Sequence, residues 1–328
     1  MERARFESFS TQLIFMRRQS KFHKKRHRSK AIGLLPFAFF LLPFVATTTT
    51  TAREQKKETQ IANARLPFEP PEELIYEAEF SKSLLRNISI AEFRFITQRV
   101  NLKESSGASA PQLLGDKDAW AEHFRFTAEA VSKGFFVKLF GLTFHQHIES
   151  IVSVAPFAVL QTSRLDEQGK RRRTSVATFD QAARKVVWTE RDLNDPLRPP
   201  RVVTSALNED ESVQDLVSAV YFMRTLRLLP GTSFDLRISD AGRIYQVPVQ
   251  VVERTVMKTV LGKVGVVRVD PQVFGDERLV RGKGRMSVWY TDDVRRIPIR
   301  AELSTDFGTL NLKLTKVNTD KSALASDR

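Results

Sequence analysis

The feature that most constrains this chain is an apolar alternation of period two that begins at Leu74 and returns, segment after segment, as far as Val317. In LIYEAEF, Leu74, Tyr76, Ala78 and Phe80 fall on one face while Glu77 and Glu79 fall on the other, the pattern of a half-buried strand. ISIAEFRFITQRV (88–100) continues it with a parity slip between Ile90 and Phe93 that a β-bulge explains. HFRFTAEA (123–130) alternates again. Residues 158–165, 172–180 and 185–190 read as a meander joined by the polar turns DEQGK and DQAAR. The Phe-rich piece 134–154 has no clean period and is assigned to no element. Later come FDLRI, YQVPVQVVERTVMKTV, KVGVVRVD, RMSVWYTD, IPIRAEL and TLNLKLTKV, with DAGR (240–243) as a hairpin turn. Pro248 and Pro298 within these runs belong at edges, strand starts or bulges, because proline donates no ladder hydrogen bond.

One stretch breaks this texture. In DESVQDLVSAVYFMRTLRLLPGTSF (210–234), Val213, Leu216, Val217, Val220 and Leu226 recur at helical spacing. Ser212 with Asp215 three residues on resembles a capping box, and Pro230 followed by Gly231 ends the run, which predicts one main helix near 212–228. It follows directly on the breaker DPLRPPR (195–201). About a dozen strands with one helix imply an all-β, β-dominated fold built on a large antiparallel sheet. A sheet that wide curls, closes or splits. A curved half-barrel or open sandwich clasping the helix is therefore expected.

Composition matters at three points. There are 24 Phe against three Trp and four Tyr, which suits a thick apolar interior. There is no Cys, which excludes disulfides, thiolate catalysis, cysteine-held zinc or iron–sulfur clusters, and a lipidated-Cys anchor. Of the net charge of +14, residues 1–52 supply +8, from ten Lys and Arg against two Glu, so the remainder carries an ordinary surface balance and no nucleic-acid partner is expected.

That basic N-terminus has the layout of an export signal. KFHKKRHRSK (21–30) runs directly into the apolar AIGLLPFAFFLLPFVA (31–46), which is short for a membrane helix and broken by Pro36 and Pro43. Thr50 and Ala52 offer small residues for cleavage after position 52, and Met16 is a possible true start. The alternative is an uncleaved anchor, with membrane contact through 31–46 only. Residues 53–71 are expected to be a linker, 72–318 one β-rich domain and 319–328 a polar tail.

With these segments in place, the chain resembles the bacterial DUF3108 proteins, a domain of unknown function found in exported proteins. The opening pair LIYEAEF and ISIAEFRF carries the likeness, with the helix DLVSAVYFMRTLRLLPG, where Ala219, Tyr221 and Arg224 precede the Pro230–Gly231 turn. SVWYTDDVRRIPIRAEL leading into GTLNLKLTKV completes it, and the second half is the more specific match. The resemblance covers roughly 72–317 and implies a β-rich periplasmic or other cell-envelope protein with no established activity.

Candidate chemistry is sparse. His145 and His147 form an HxH pair whose imidazoles share one face of a strand, as metal ligands need, but only His123 and Glu149 accompany them, so no metal is expected. Asp292, Asp293, Arg295 and Arg296 in TDDVRR, and Arg171–Arg173 after Gly169, read as solvated turns. No G-x-S-x-G, P-loop, H-E-x-x-H or dinucleotide glycine pattern occurs, and no cofactor is implied. Tyr221 and Arg224 share one side of the helix and, with Trp289, are the candidate ligand-binding residues; the competing role of the first two is to tie helix to sheet. The function these readings favour is a non-enzymatic binder or carrier of a lipid or other amphiphile. A structural or assembly factor binding another envelope protein is the alternative, and an exported hydrolase the lesser one.

Overall fold

Leu74, Tyr76, Ala78 and Phe80 are each 4% exposed or less, so alternation puts one whole face of β1 (Glu72–Lys82) into the interior. It pairs with β2 (Leu85–Val100), whose register jumps from Ala91 opposite Ala78 to Ser89 opposite Glu79. Ile90 is the extra residue, at the place where the sequence changes parity. The computed structural model describes residues 66–100, 122–134, 137, 141, 143–208 and 212–319. The expected signal segment 1–52, residues 53–65 of the expected linker and residues 320–328 of the expected tail lie outside these.

Most of the remaining strands follow as expected, while the strand at 144–154 falls in the Phe-rich piece that the sequence assigns to no element. In chain order these strands are β3 (His123–Ser132), β4 (Phe144–Val154), β5 (Phe157–Gln168), β6 (Arg171–Asp180), β7 (Lys185–Asp192), β8 (Arg201–Ala206), β9 (Val213–Gln214), β10 (Ser233–Asp240), β11 (Arg243–Thr259), β12 (Gly262–Pro271), β13 (Gly284–Thr291), β14 (Pro298–Thr305) and β15 (Gly308–Asn318). All fifteen belong to one sheet, ordered from β8 back through β1, then β15 down to β9. Every neighbouring pair is antiparallel except β9 with β10. The first and last strands thus lie side by side at the centre.

The helix α1 (Leu216–Thr225) fills the concave side. Val217 and Tyr221, four residues apart, pack into a cluster with Phe124, Phe126, Val152, Phe179 and Trp188 of β3 to β7. Ala219 and Met223, also four apart, pack on Val247, Val249, Val267 and Val288 of the other half-sheet. One helix face therefore serves each half, and the helix is buried on both. This is the curled sheet around a helix that the sequence implies.

Three local features depart from the sequence reading. The helix starts three residues after Ser212, with Asp215 as N-cap: its Oδ1 accepts from Val217 N and Ser218 N (2.8 Å each), and Ser218 Oγ answers the Asp215 backbone N–H at 2.9 Å. Val213 and Gln214 are drawn instead into β9 by pairing with Arg237 and Ile238. β8 stands where the breaker was expected to lead straight into the helix. Residues 66–71 of the expected linker are packed, with Phe68 only 3% exposed because its ring meets Phe124, Phe126 and Tyr221 edge-on.

The two ends of the sheet approach each other and are joined by side chains, with no ladder across the gap. Ser205 Oγ donates to Gly242 O at 2.6 Å and Arg164 reaches Asp240 at 3.4 Å. Gly242, at φ +73°, sits so close to β8 that a Cβ would lie 2.7 Å from that of Val203, which is why DAGR turns here on a glycine.

Candidate functional site

Three polar groupings stand out, and the first lies inside the sheet. Arg224 is fully buried, and its guanidinium is gripped from three sides. Nη1 and Nη2 donate to the two oxygens of Glu72 at 2.5 and 3.0 Å, Nη2 also to Pro67 O at 3.1 Å, and Nε to Arg295 O at 3.0 Å. Arg296 Nη1 returns a bond to the Arg224 carbonyl at 3.0 Å. The cation lies 5.2 Å from the Phe68 ring centre and 5.7 Å from that of Tyr221. Four parts of the chain meet there: α1, β1, the segment before β1 and the β13–β14 loop. Burial presses the Arg224 pKa down, yet the bond to Glu72 and the charge of that carboxylate hold it above its ordinary value.

Tyr221 stacks on Phe126 at 4.0 Å and is 1% exposed. Burial pushes its pKa up. Its hydroxyl has Thr97 as polar neighbour, but the two do not reach hydrogen-bond geometry. Tyr76, beside this cluster, donates to Pro298 O at 2.6 Å, and burial raises its pKa well above the ordinary value. The structure thus brings Tyr221 and Arg224 together. Trp289 makes no ring or polar contact with either; it is half-buried on β13 with the Arg300 guanidinium 4.9 Å from its ring.

The second grouping lies at the seam between the sheet's ends. Asp215, 3% exposed, uses Oδ1 for the helix cap and accepts Ser150 Oγ of β4 and Thr162 Oγ1 of β5 on Oδ2. Beside it is a cavity of about 30 Å3 lined by Arg164, Ser175, Trp188, Ser239 and Asp240 among others, room for one or two waters. Asp215 carries four donors, so its carboxylate is spent on holding the helix start to β4 and β5.

The third is on the outer face. His145 and His147 do share a face of β4, but each ring turns to its own carboxylates. His145 Nδ1 lies 3.1 Å from Glu167 and its Nε2 3.0 Å from Glu129, while His147 Nε2 lies 3.4 Å from Glu149. Both nitrogens of His145 face carboxylates, and among the described residues no three ligand groups converge on one point. The hydrogen bond to Glu149 raises the His147 pKa above 6.5, and the same bond lowers that of Glu149 below 4.5. A group whose folded pKa is raised stabilises below its unfolded value, and one that is lowered stabilises above it. The pair is therefore at full strength between about pH 4.5 and 6.5, weakening as pH rises through the folded value of His147 and as it falls through that of Glu149. In an NMR titration, Glu149→Gln should bring the His147 midpoint back down; an unchanged midpoint would refute the pairing.

The turn residues are similarly engaged. Asp293 accepts Thr291 Oγ1 at 2.7 Å and the backbone of Arg295 and Arg296, closing the β13–β14 loop. Arg171, Arg172 and Arg173 pair with Asp166, Glu167 and Glu190.

Residues 115–315, more than half of the chain, match the model of a family described as a protein of unknown function, DUF3108. The chain belongs to the DUF3108 family. The matched span of this DUF3108 protein contains α1, the seam and β3 to β14 whole, while β1 and β2 precede it. Glu72, which completes the Arg224 pair, thus lies on a strand outside the match. No curated protein matches the chain. Among solved structures, a β-barrel-like protein of domain of unknown function DUF1849 from Brucella abortus is similar over 76% of this chain and 98% of its own, at 11% identity and a TM-score of 0.48.

Proposed function

We propose that this DUF3108 protein is an exported, non-catalytic protein of the bacterial cell envelope that works by protein contact, as a structural or assembly factor. The observation that carries this reading is the packing of the interior among the described residues. The space a carrier would keep open for an amphiphile is taken up by α1, the rings of Phe68, Phe124, Phe126 and Tyr221, and the Arg224–Glu72 pair. The seam cavity is an order of magnitude below the few hundred Å3 that small-molecule sites usually offer. Tyr221 and Arg224 are accordingly assigned to tying helix to sheet, Asp215 to anchoring the helix start, and binding to the outer surface and the open sheet edge. The basic and apolar segments at 21–46 support export; they lie outside the described residues, among which no helix is long and apolar enough to cross a membrane.

Native mass spectrometry of the protein recovered from the envelope of expressing bacteria tests this, with the organic extract analysed alongside. The expected result is a mass beginning at Arg53 with no bound amphiphile. A stoichiometric mass excess matching an extracted lipid would replace this reading with carriage, and retention of the first 52 residues would replace cleavage with anchoring.

A further inference from the structure

The sheet order ends on β8, which pairs with β7 on one side and, among the described residues, with no strand on the other. At the opposite end, β9 interrupts the edge of β10 at Arg237 and Ile238, so β8 is the longer uninterrupted edge. Unpaired strand edges are templates for pairing, and proteins usually blunt them with charge. β8 is not blunted in that way. Its one charged residue, Arg201, belongs to the inner side, 5.6 Å from the Trp188 ring, while Val202 is 55% exposed and Thr204 and Ala206 are further along the outer face.

On the outer face behind this edge the two rows through Val202 and Thr204 are uncharged, while the row through Ala206 carries Lys185 and Asp180. Cross-strand register sets Ser163, Val176, Thr189 and Val202 in one row and Gln161, Thr178, Val187 and Thr204 in the next row of the same face. The middle of the sheet differs: the row through Arg94, Glu129 and His147 is charged.

We infer that β8 is the docking edge for a second copy of this chain, paired antiparallel about a two-fold axis through Val203. Resting on the protein-contact reading above, this names the partner. Directly opposite residues of an antiparallel pair share a face, so such an axis sets Val202 against Thr204 of the second copy and Arg201 against Ser205. No like charges meet. The row Ser163–Val176–Thr189–Val202 then continues, without one charged residue, into Thr204, Val187, Thr178 and Gln161 of the second copy. This self-complementarity is what a two-fold contact requires. Pro199 and Pro200 immediately precede β8 and donate no backbone hydrogen bonds, so pairing stops at the strand's six residues and consumes the edge, giving a closed dimer.

The absence of cysteine makes the register directly testable. Full-length Val202→Cys and Thr204→Cys proteins are mixed under mild oxidation and run without reductant. The mixture should form far more disulfide-linked dimer than either protein alone, because positions 202 and 204 are directly opposite whereas identical positions lie on a diagonal too long for a disulfide. Sedimentation velocity of the unmodified chain should show a dimer at tens of micromolar, and Thr204→Lys should weaken it more than about tenfold without shifting the thermal melt. Equal cross-linking in all three samples would overturn the register, and a monomer at every concentration would overturn the dimer. A monomer that is free of amphiphile sinks the dimer alone, whereas a bound amphiphile sinks the protein-contact reading whatever the oligomeric state.

Discussion

Replacing Arg224 with methionine is expected to lower the unfolding free energy by about 3–5 kcal/mol, because it strands the buried Glu72 carboxylate without its counterion. Glu72 is 4% exposed, and both of its oxygens point into the guanidinium. The backbone oxygens of Pro67 and Arg295 lose their donors in the same step, and leaving a buried acceptor unsatisfied costs roughly 1–3 kcal/mol on its own. Against a total stability of about 5–15 kcal/mol, the variant approaches the threshold of folding. The informative comparison is the double variant Arg224→Met with Glu72→Leu. Removing both charges avoids the stranded carboxylate, so chemical denaturation should find it more stable than Arg224→Met alone, with a coupling well above about 0.5 kcal/mol. Additive effects would mean that the pair does not act as a unit. Lysine at 224 should not rescue, since a point charge cannot meet Glu72, Pro67 and Arg295 together as the fork does.

The second large effect is expected at Phe126. Its ring is fully buried, stacked 4.0 Å from Tyr221, 6.0 Å from Phe157 and edge-on to Phe68 at 5.6 Å. Phe126→Ala removes the contact between α1 and β3 and leaves a cavity that the stiff sheet cannot collapse, a loss of about 3–5 kcal/mol. The same substitution at Val131, 42% exposed on the same strand, should cost less than about 0.5 kcal/mol. Denaturation midpoints for the two variants measure the contrast. A small effect at Phe126 would mean that the helix is not held by this side of the sheet, contrary to the packing of Val217 and Tyr221.

These two sites show where sequence reading reaches its limit. Arg224 and Tyr221 are recognisable in the sequence as neighbours on one helix face, because a helix relates residues three apart. Their partners are not recognisable. Glu72 is 152 residues away, at the start of a strand whose alternation is legible but whose acidic residues all look alike. Asp215 is visible as part of a helix start, yet Ser150 and Thr162, which together with two backbone amides saturate it, come from β4 and β5. The HxH pair is legible as two rings on one face. What fills their nitrogens depends on the register with β3 and β5.

By itself the sequence determined the strand texture, the Ile90 bulge, the hairpin at Asp240–Arg243 and the break where α1 stands, since each follows from alternation, helical spacing or turn chemistry within a few residues. Only the tertiary structure decided that the strands join one sheet with first and last side by side, and that 66–71 belongs to the core. It also decided that β8 exists as an edge, and that α1 packs its Val217 and Tyr221 against the rings of Phe68, Phe124 and Phe126. The physical reason is that strand pairing and burial are long-range: a short strand such as RVVTSA has no distinctive local signal, and which apolar face meets which is settled only when the whole sheet has curled around the helix.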